Sequence, residues 1–128
     1  MKDTSRIGDT SNAQILAALV KTGRNVLIPF NEGQKYDLVV EDGGEFKRLQ
    51  SKTAWMKRGG VHFHTHRPSN GEKYGNDIDL FGVYCFEIDS VFLVPKKVIG
   101  DRYDFSLWIE HLTGKTDEQI RLDLGIFG

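Results

Sequence analysis

Four polar residues in the first half of the chain have the types and spacing to act on a phosphate ester. Asp37 and Gln50 offer oxygens that a divalent cation could take together with a backbone carbonyl, and Lys52, two residues past Gln50, could hold a phosphate or help a water attack it. Asn12 sits on the element that precedes them. Hydrolysis of a phosphodiester builds negative charge on a phosphorane-like centre, so a cation and a lysine converging on one point is the arrangement it demands. Asp, Gln and Lys on paired strands also make an ordinary polar sheet face, and spacing alone leaves both readings open.

Other residues are weaker candidates. His62, His64 and His66 alternate and so share one face of a strand, where two or three imidazoles could take Zn²⁺, although no fourth ligand is evident in the sequence. Tyr74, Asp77 and Asp79 precede a strong hairpin pattern, and the aspartates read first as turn or cap formers. Trp55 and Met56 read as core, while Lys57 and Arg58 beside them suit contact with a phosphate backbone. Trp108 and Phe105 read as core or interface. Cys85 is the lone cysteine and lies in the apolar run FGVYCF, so it reads as buried filler in a reducing compartment.

The elements that must position these residues follow from periodicity. Ile15, Leu16, Leu19 and Val20 recur at helical spacing after the possible caps Thr10 and Ser11, and Gly23 follows, which predicts an amphipathic helix over residues 11–22. Asn12 lies three, four and seven residues before Ile15, Leu16 and Leu19, on the inward stripe, where a polar side chain needs a partner. Strands are predicted at 25–30 and 36–41, and the turn Asp42-Gly43-Gly44 leads into a second hairpin arm at 45–52. Strict alternation along that arm sends Phe46, Arg48, Gln50 and Lys52 to one face and Lys47, Leu49 and Ser51 to the other, with Gln50 and Lys52 about 7 Å apart. After Gly59-Gly60, VHFHTH is a further strand, followed by a polar loop over 67–76. A hairpin with arms 80–88 and 91–95, a strand near 105–109 and a short helix from Thr116 to Leu124 closed by Gly125 complete the pattern. The expected class is α/β of the mixed α+β kind, one domain with a mixed sheet flanked by helices.

A chain of 128 residues leaves little room for a second domain. No apolar run approaches the roughly 20 residues of a bilayer-spanning helix, and the polar start lacks a secretory core, so membrane insertion and export are not expected and a cytoplasmic location is. Charge is uneven. Against 17 Lys+Arg and 18 Asp+Glu overall, residues 46–71 hold Lys47, Arg48, Lys52, Lys57, Arg58 and Arg67 and no acid, a local +6 that leaves the remainder at −7. Such asymmetry suits a one-faced anion binder or a solvated basic surface.

Over residues 8–95, about two-thirds of the chain, the sequence resembles the intron-encoded homing endonuclease branch of the PD-(D/E)XK nuclease superfamily. The matching blocks, in order, are IGDTSNAQILAALVKTGRNVLIPF, KYDLVVEDGG, FKRLQSKT and DIDLFGVYCFEIDSVFLVP. Their order and spacing are more specific than any block alone. The resemblance implies a restriction-endonuclease-like core and a metal-dependent DNA endonuclease. Asp37 becomes the acidic Mg²⁺ or Mn²⁺ ligand, Gln50 occupies the place that is Asp or Glu in most of the superfamily, and Lys52 becomes the catalytic lysine. It further implies double-stranded DNA as partner, with Lys47, Arg48, Lys57, Arg58 and Arg67 on its phosphates, and a homodimer or homotetramer. Family members commonly carry Glu where Asn12 stands, which removes a charge and a methylene of reach; Asp9, three residues earlier, shares its face. A Holliday-junction resolvase and a catalytically weakened DNA-binding module are the alternative readings.

Overall fold

The computed structural model describes residues 4–66, 74–100 and 104–108, the side chains of 105, 107 and 108 excepted. Its elements in order are α1 (Thr4–Lys21), β1 (Asn25–Leu27), β2 (Leu38–Asp42), β3 (Glu45–Lys57), β4 (Gly60–His64), β5 (Leu80–Cys85), a 3₁₀ turn (Phe86–Ile88), β6 (Ser90–Pro95), α2 (Lys96–Ile99) and β7 (Asp104–Trp108). The strands join one mixed sheet, ordered β1-β2-β3-β4-β7, with β5 pairing β3 in parallel and β6 in antiparallel fashion. Among the described residues no helix is long and apolar enough to cross a membrane.

Helix α1 begins seven residues before the predicted start. Thr10 and Ser11 are interior rather than caps: the Thr10 hydroxyl donates back to the Arg6 carbonyl, and buried Ser11 pairs with Thr53 of β3 at 2.5 Å. Its C-terminus is as predicted, and the mechanism is explicit. Gly23, at φ 85°, lets its own N–H reach the Val20 carbonyl and the Arg24 N–H reach that of Leu19, which satisfies two carbonyls left open by the last turn.

The β2–β3 hairpin turns on Gly43 and Gly44, both at positive φ, the geometry whose twist matches that of the flanking strands. At the β3–β4 turn the loop is Arg58-Gly59 rather than Gly59-Gly60, with Lys57 paired to Gly60 and Arg58 itself left-handed. Strand β1 stops at Leu27, not at residue 30, since Pro29 has no N–H to continue the ladder. Strand β5 likewise ends at Cys85 instead of 88. Asp89, left-handed at φ 46°, donates its N–H to the Phe86 carbonyl and accepts the Tyr84 hydroxyl, closing a tight loop there. The strand predicted near 105–109 is β7; the tail helix, Arg67 and the side chains of Phe105 and Trp108 lie outside the described residues.

Each face of the sheet carries an apolar cluster. Ile15 and Leu19 of α1 pack with Leu38, Val40, Leu49, Leu80, Tyr84, Val91 and Leu93 on one face. Phe63, Tyr74, Phe81, Phe92 and Val94, with smaller residues that include Cys85, fill the other. The helix reaches β5 at Gly82, where an added Cβ would come within 2.8 Å of Ile15.

Candidate active site

Strand β3 is thirteen residues long and changes neighbours along its length. It pairs β2 up to Leu49 and β4 only from Trp55, so between them β5 is its sole ladder partner among the described residues. Sheet edges left unpaired in this way expose backbone groups that need other partners. Asp37, one residue before β2, supplies them: its N–H donates to the Leu49 carbonyl at 2.8 Å, and its Oδ2 accepts the Ser51 N–H at 2.9 Å.

Register places the predicted residues. Leu38 and Leu49 are cross-strand partners in the helix-side cluster, so Asp37, Gln50 and Lys52 belong to the opposite face. Lys52 reaches across that face, where its Nζ donates to the His66 carbonyl at 2.9 Å and to the Tyr74 hydroxyl at 3.1 Å and lies 4.8 Å from the Tyr74 ring centroid. Two of its three N–H bonds are thereby fixed. No direct ion pair joins Lys52 to Asp37 among the described residues. Burial pushes the Lys52 ammonium down to about 8, against the pull of Asp37 in the other direction. Burial also pushes the Asp37 carboxyl up, with the Ser51 N–H and Lys52 opposing. Half-buried Gln50 makes no side-chain hydrogen bond to the described residues.

Asn12 is turned inward, as its position on the stripe requires, but it stands on the helix side of β3. Its Oδ1 accepts the Ser51 hydroxyl at 2.5 Å, so it reaches Asp37 only through Ser51. Asp9 is exposed. Of the basic residues, Lys57 and Arg58 are exposed at the β3–β4 turn, and half-buried Lys47 lies 4.0 Å from Glu45. Arg48 differs from its reading as a phosphate ligand. Its guanidinium bonds the Asp79 carboxylate at 3.2 and 3.4 Å and the Asn76 carbonyl at 2.5 Å, because the β3–β5 pairing brings Asp79 beside it. Asp79 is therefore a tether rather than a simple turn former, and Asp77 pairs with Lys35 at 3.4 Å. Sequence reasoning missed Ser51, the His66 carbonyl and the Tyr74 hydroxyl as parts of the site; only Tyr74 carried any signal, as a polar aromatic ahead of the hairpin.

A model of the PD-(D/E)XK endonuclease family matches residues 2–122. The chain belongs to the PD-(D/E)XK endonuclease family. Its fold is similar to that of a bacterial homing endonuclease, I-Ssp6803I, with a TM-score of 0.69 and 26% identity over 84% of this chain and 77% of that one. No curated protein matches the sequence. As in the resemblance drawn from the sequence, this PD-(D/E)XK nuclease has a restriction-endonuclease-like mixed sheet.

Proposed function

We propose that this endonuclease cuts duplex DNA by Mg²⁺-dependent hydrolysis of phosphodiesters, in the manner of a homing endonuclease, with Mn²⁺ able to replace Mg²⁺. The observation that carries the reading is that register puts Asp37, Gln50 and Lys52 on one face of the sheet, where β3 is laddered on the β5 edge alone and the Asp37 carboxylate accepts the Ser51 N–H. The donors suit a hard cation. Among the described residues Ser51 N–H takes one Asp37 oxygen and nothing takes the Gln50 amide oxygen, and both side chains offer the oxygen ligands that Mg²⁺ prefers. When bound, the cation polarises the scissile phosphate and makes an attacking water more acidic.

The chain's own groups do the rest. Asp37 and Gln50 hold the cation, and Ser51 fixes the Asp37 carboxyl through its backbone N–H. Lys52, clamped by His66 and Tyr74, presents its remaining N–H to the charge that develops on phosphorus. With a pKa near 8, it can also exchange a proton close to neutrality. Lys47, Lys57, Arg58 and Arg67 would position the duplex through its phosphates. One centre per chain cuts one strand, so a homodimer or homotetramer supplies the second cut.

Asn12 favours one further reading. Because Asn12 is neutral and its oxygen is engaged by Ser51, it brings no charged ligand from α1, and the centre would then be a weakened one that binds DNA without turnover. Nicking of supercoiled plasmid and of branched DNA under Mg²⁺ and Mn²⁺ titration, wild type beside Lys52→Ala, separates these. Metal-dependent cutting that disappears in the variant supports the nuclease; preference for a four-way junction would mark a resolvase. Intact DNA with retained binding supports the weakened module and makes Asn12→Glu the next protein to assay.

A further inference from the structure

Strands β4 and β7 carry a second cluster that the nuclease reading does not use. His64 ends β4 and His66 follows two residues later, their ring centroids 4.9 Å apart. The antiparallel register sets Asp104 opposite His64, and its Oδ1 lies 2.5 Å from His64 Nδ1. One ligand atom from each of His64, His66 and Asp104 lies within 4.8 Å of the others. His62, the first of the alternating imidazoles, is not among the three: its ring meets that of His64 edge-on at 6.2 Å, and its Nδ1 pairs with the Ser106 hydroxyl at 2.5 Å. Of the two or three imidazoles that the sequence offers to Zn²⁺, two are thus joined by a carboxylate from across the ladder.

We propose that His64, His66 and Asp104 form a binding site for a divalent transition cation, zinc above all, separate from the oxygen-donor centre at Asp37. The donor set decides the class of ion. Imidazole nitrogens suit zinc, cobalt and nickel, whereas Mg²⁺ prefers an all-oxygen shell. Zinc bonds of about 2.1 Å hold tetrahedral ligand atoms roughly 3.4 Å apart, so the observed spread closes with small side-chain rotations, and His64 and Asp104 are both exposed at the surface, the His64 ring resting 4.9 Å from that of Trp55. Two histidines and one carboxylate leave a coordination position for water. Occupation ties β7 to the end of β4. It also immobilises His66, whose carbonyl holds the Lys52 amine, so the two sites meet at one residue.

Cobalt is the probe, because its visible absorption reports coordination by nitrogen ligands. The full-length protein, stripped with a chelator, is titrated with Co²⁺ as wild type, Asp37→Asn, His64→Ala, His64→Gln and Asp104→Asn. The site predicts one equivalent of tightly bound Co²⁺ in wild type and in Asp37→Asn alike, displaced by Zn²⁺. Affinity should fall tenfold to a hundredfold or more in His64→Ala and Asp104→Asn. Zn²⁺ at a hundredfold excess over its Kd should raise the thermal midpoint of wild type by roughly 10 °C and that of His64→Ala by no more than about half as much. Should His64→Ala fail to fold, His64→Gln keeps a hydrogen-bonding group of similar size and must show the same loss. Absence of Co²⁺ binding in wild type, or binding that vanishes in Asp37→Asn and persists in the His64 variants, overturns the proposal.

Discussion

Two pairs of opposite charge stand four positions apart along the same face of β3, and they are built in opposite ways. Arg48 and Asp79 touch, at 3.2 and 3.4 Å, and a backbone N–H of Arg48 adds a third bond to the same carboxylate at 2.8 Å. Burial pushes the Asp79 carboxyl up, but these bonds outweigh it and hold the group below the usual range. Lys52 and Asp37 do not touch. There burial dominates, lowering the lysine to about 8 and raising the aspartate. A pair that has satisfied itself stabilises the fold and leaves nothing for a ligand. A pair held apart in a dry place keeps its charge available and is the one that an incoming cation and phosphate can complete.

The contrast is sharpest in Lys52→Ala. Plasmid nicking should fall by about 10²–10³-fold, as when a group that meets transition-state charge is removed, while urea unfolding shows stability preserved. Comparable losses of folding and cutting would make Lys52 a structural residue like Arg48. Next in size is a pH effect. A lysine whose folded pKa near 8 lies below its ordinary 10.5 penalises the fold below pH 8, and the penalty is relieved as pH rises from 8 to 10.5. Unfolding measured across that window should show a gain of about 1–2 kcal/mol in wild type that Lys52→Met abolishes.

Arg48→Ala should show the reverse profile from Lys52→Ala. We expect a stability loss of about 1 kcal/mol, kept small because both partners are more than a third exposed and the pair is screened by solvent. Its DNA affinity should keep the same salt dependence, which a phosphate ligand would not. The smallest effect lies on the acid side. Asp79 contributes stability above its unfolded pKa that is lost as pH falls through the lower folded value, whereas the cost of ionised Asp37 is relieved as pH falls through its raised one. Unfolding curves in acid should therefore be flatter for Asp79→Asn and steeper for Asp37→Asn than for wild type, by less than about 1 kcal/mol.

Much of the frame was legible before any coordinates. Alternation alone put Gln50 and Lys52 on one face, the Gly43-Gly44 turn fixed the hairpin, and helical spacing turned Asn12 inward. Element ends were less legible wherever the deciding partner lay elsewhere. Thr10 and Ser11 have the chemistry of caps, and only the Arg6 carbonyl and Thr53 reveal that the helix runs through them. The site failed in the same manner. Arg48 counts as a surface cation until Asp79, thirty-one positions later, is seen to accept it. The His66 contribution is a backbone carbonyl, for which no residue type is a signal. Asp104 becomes a neighbour of His64 only through the β4–β7 register, forty positions apart.

The parallel pairing of β3 with β5 also sets an order of events during synthesis. Asp37, Gln50 and Lys52 leave the ribosome early, but Lys52 has no clamp until Tyr74 emerges, and the bare stretch of β3 has no ladder partner until β5 follows it. Contacts of such separation form late, after the local hairpins. A nascent chain therefore carries the residues of the proposed site well before it has the site, and a product truncated ahead of β5 should show no nuclease activity.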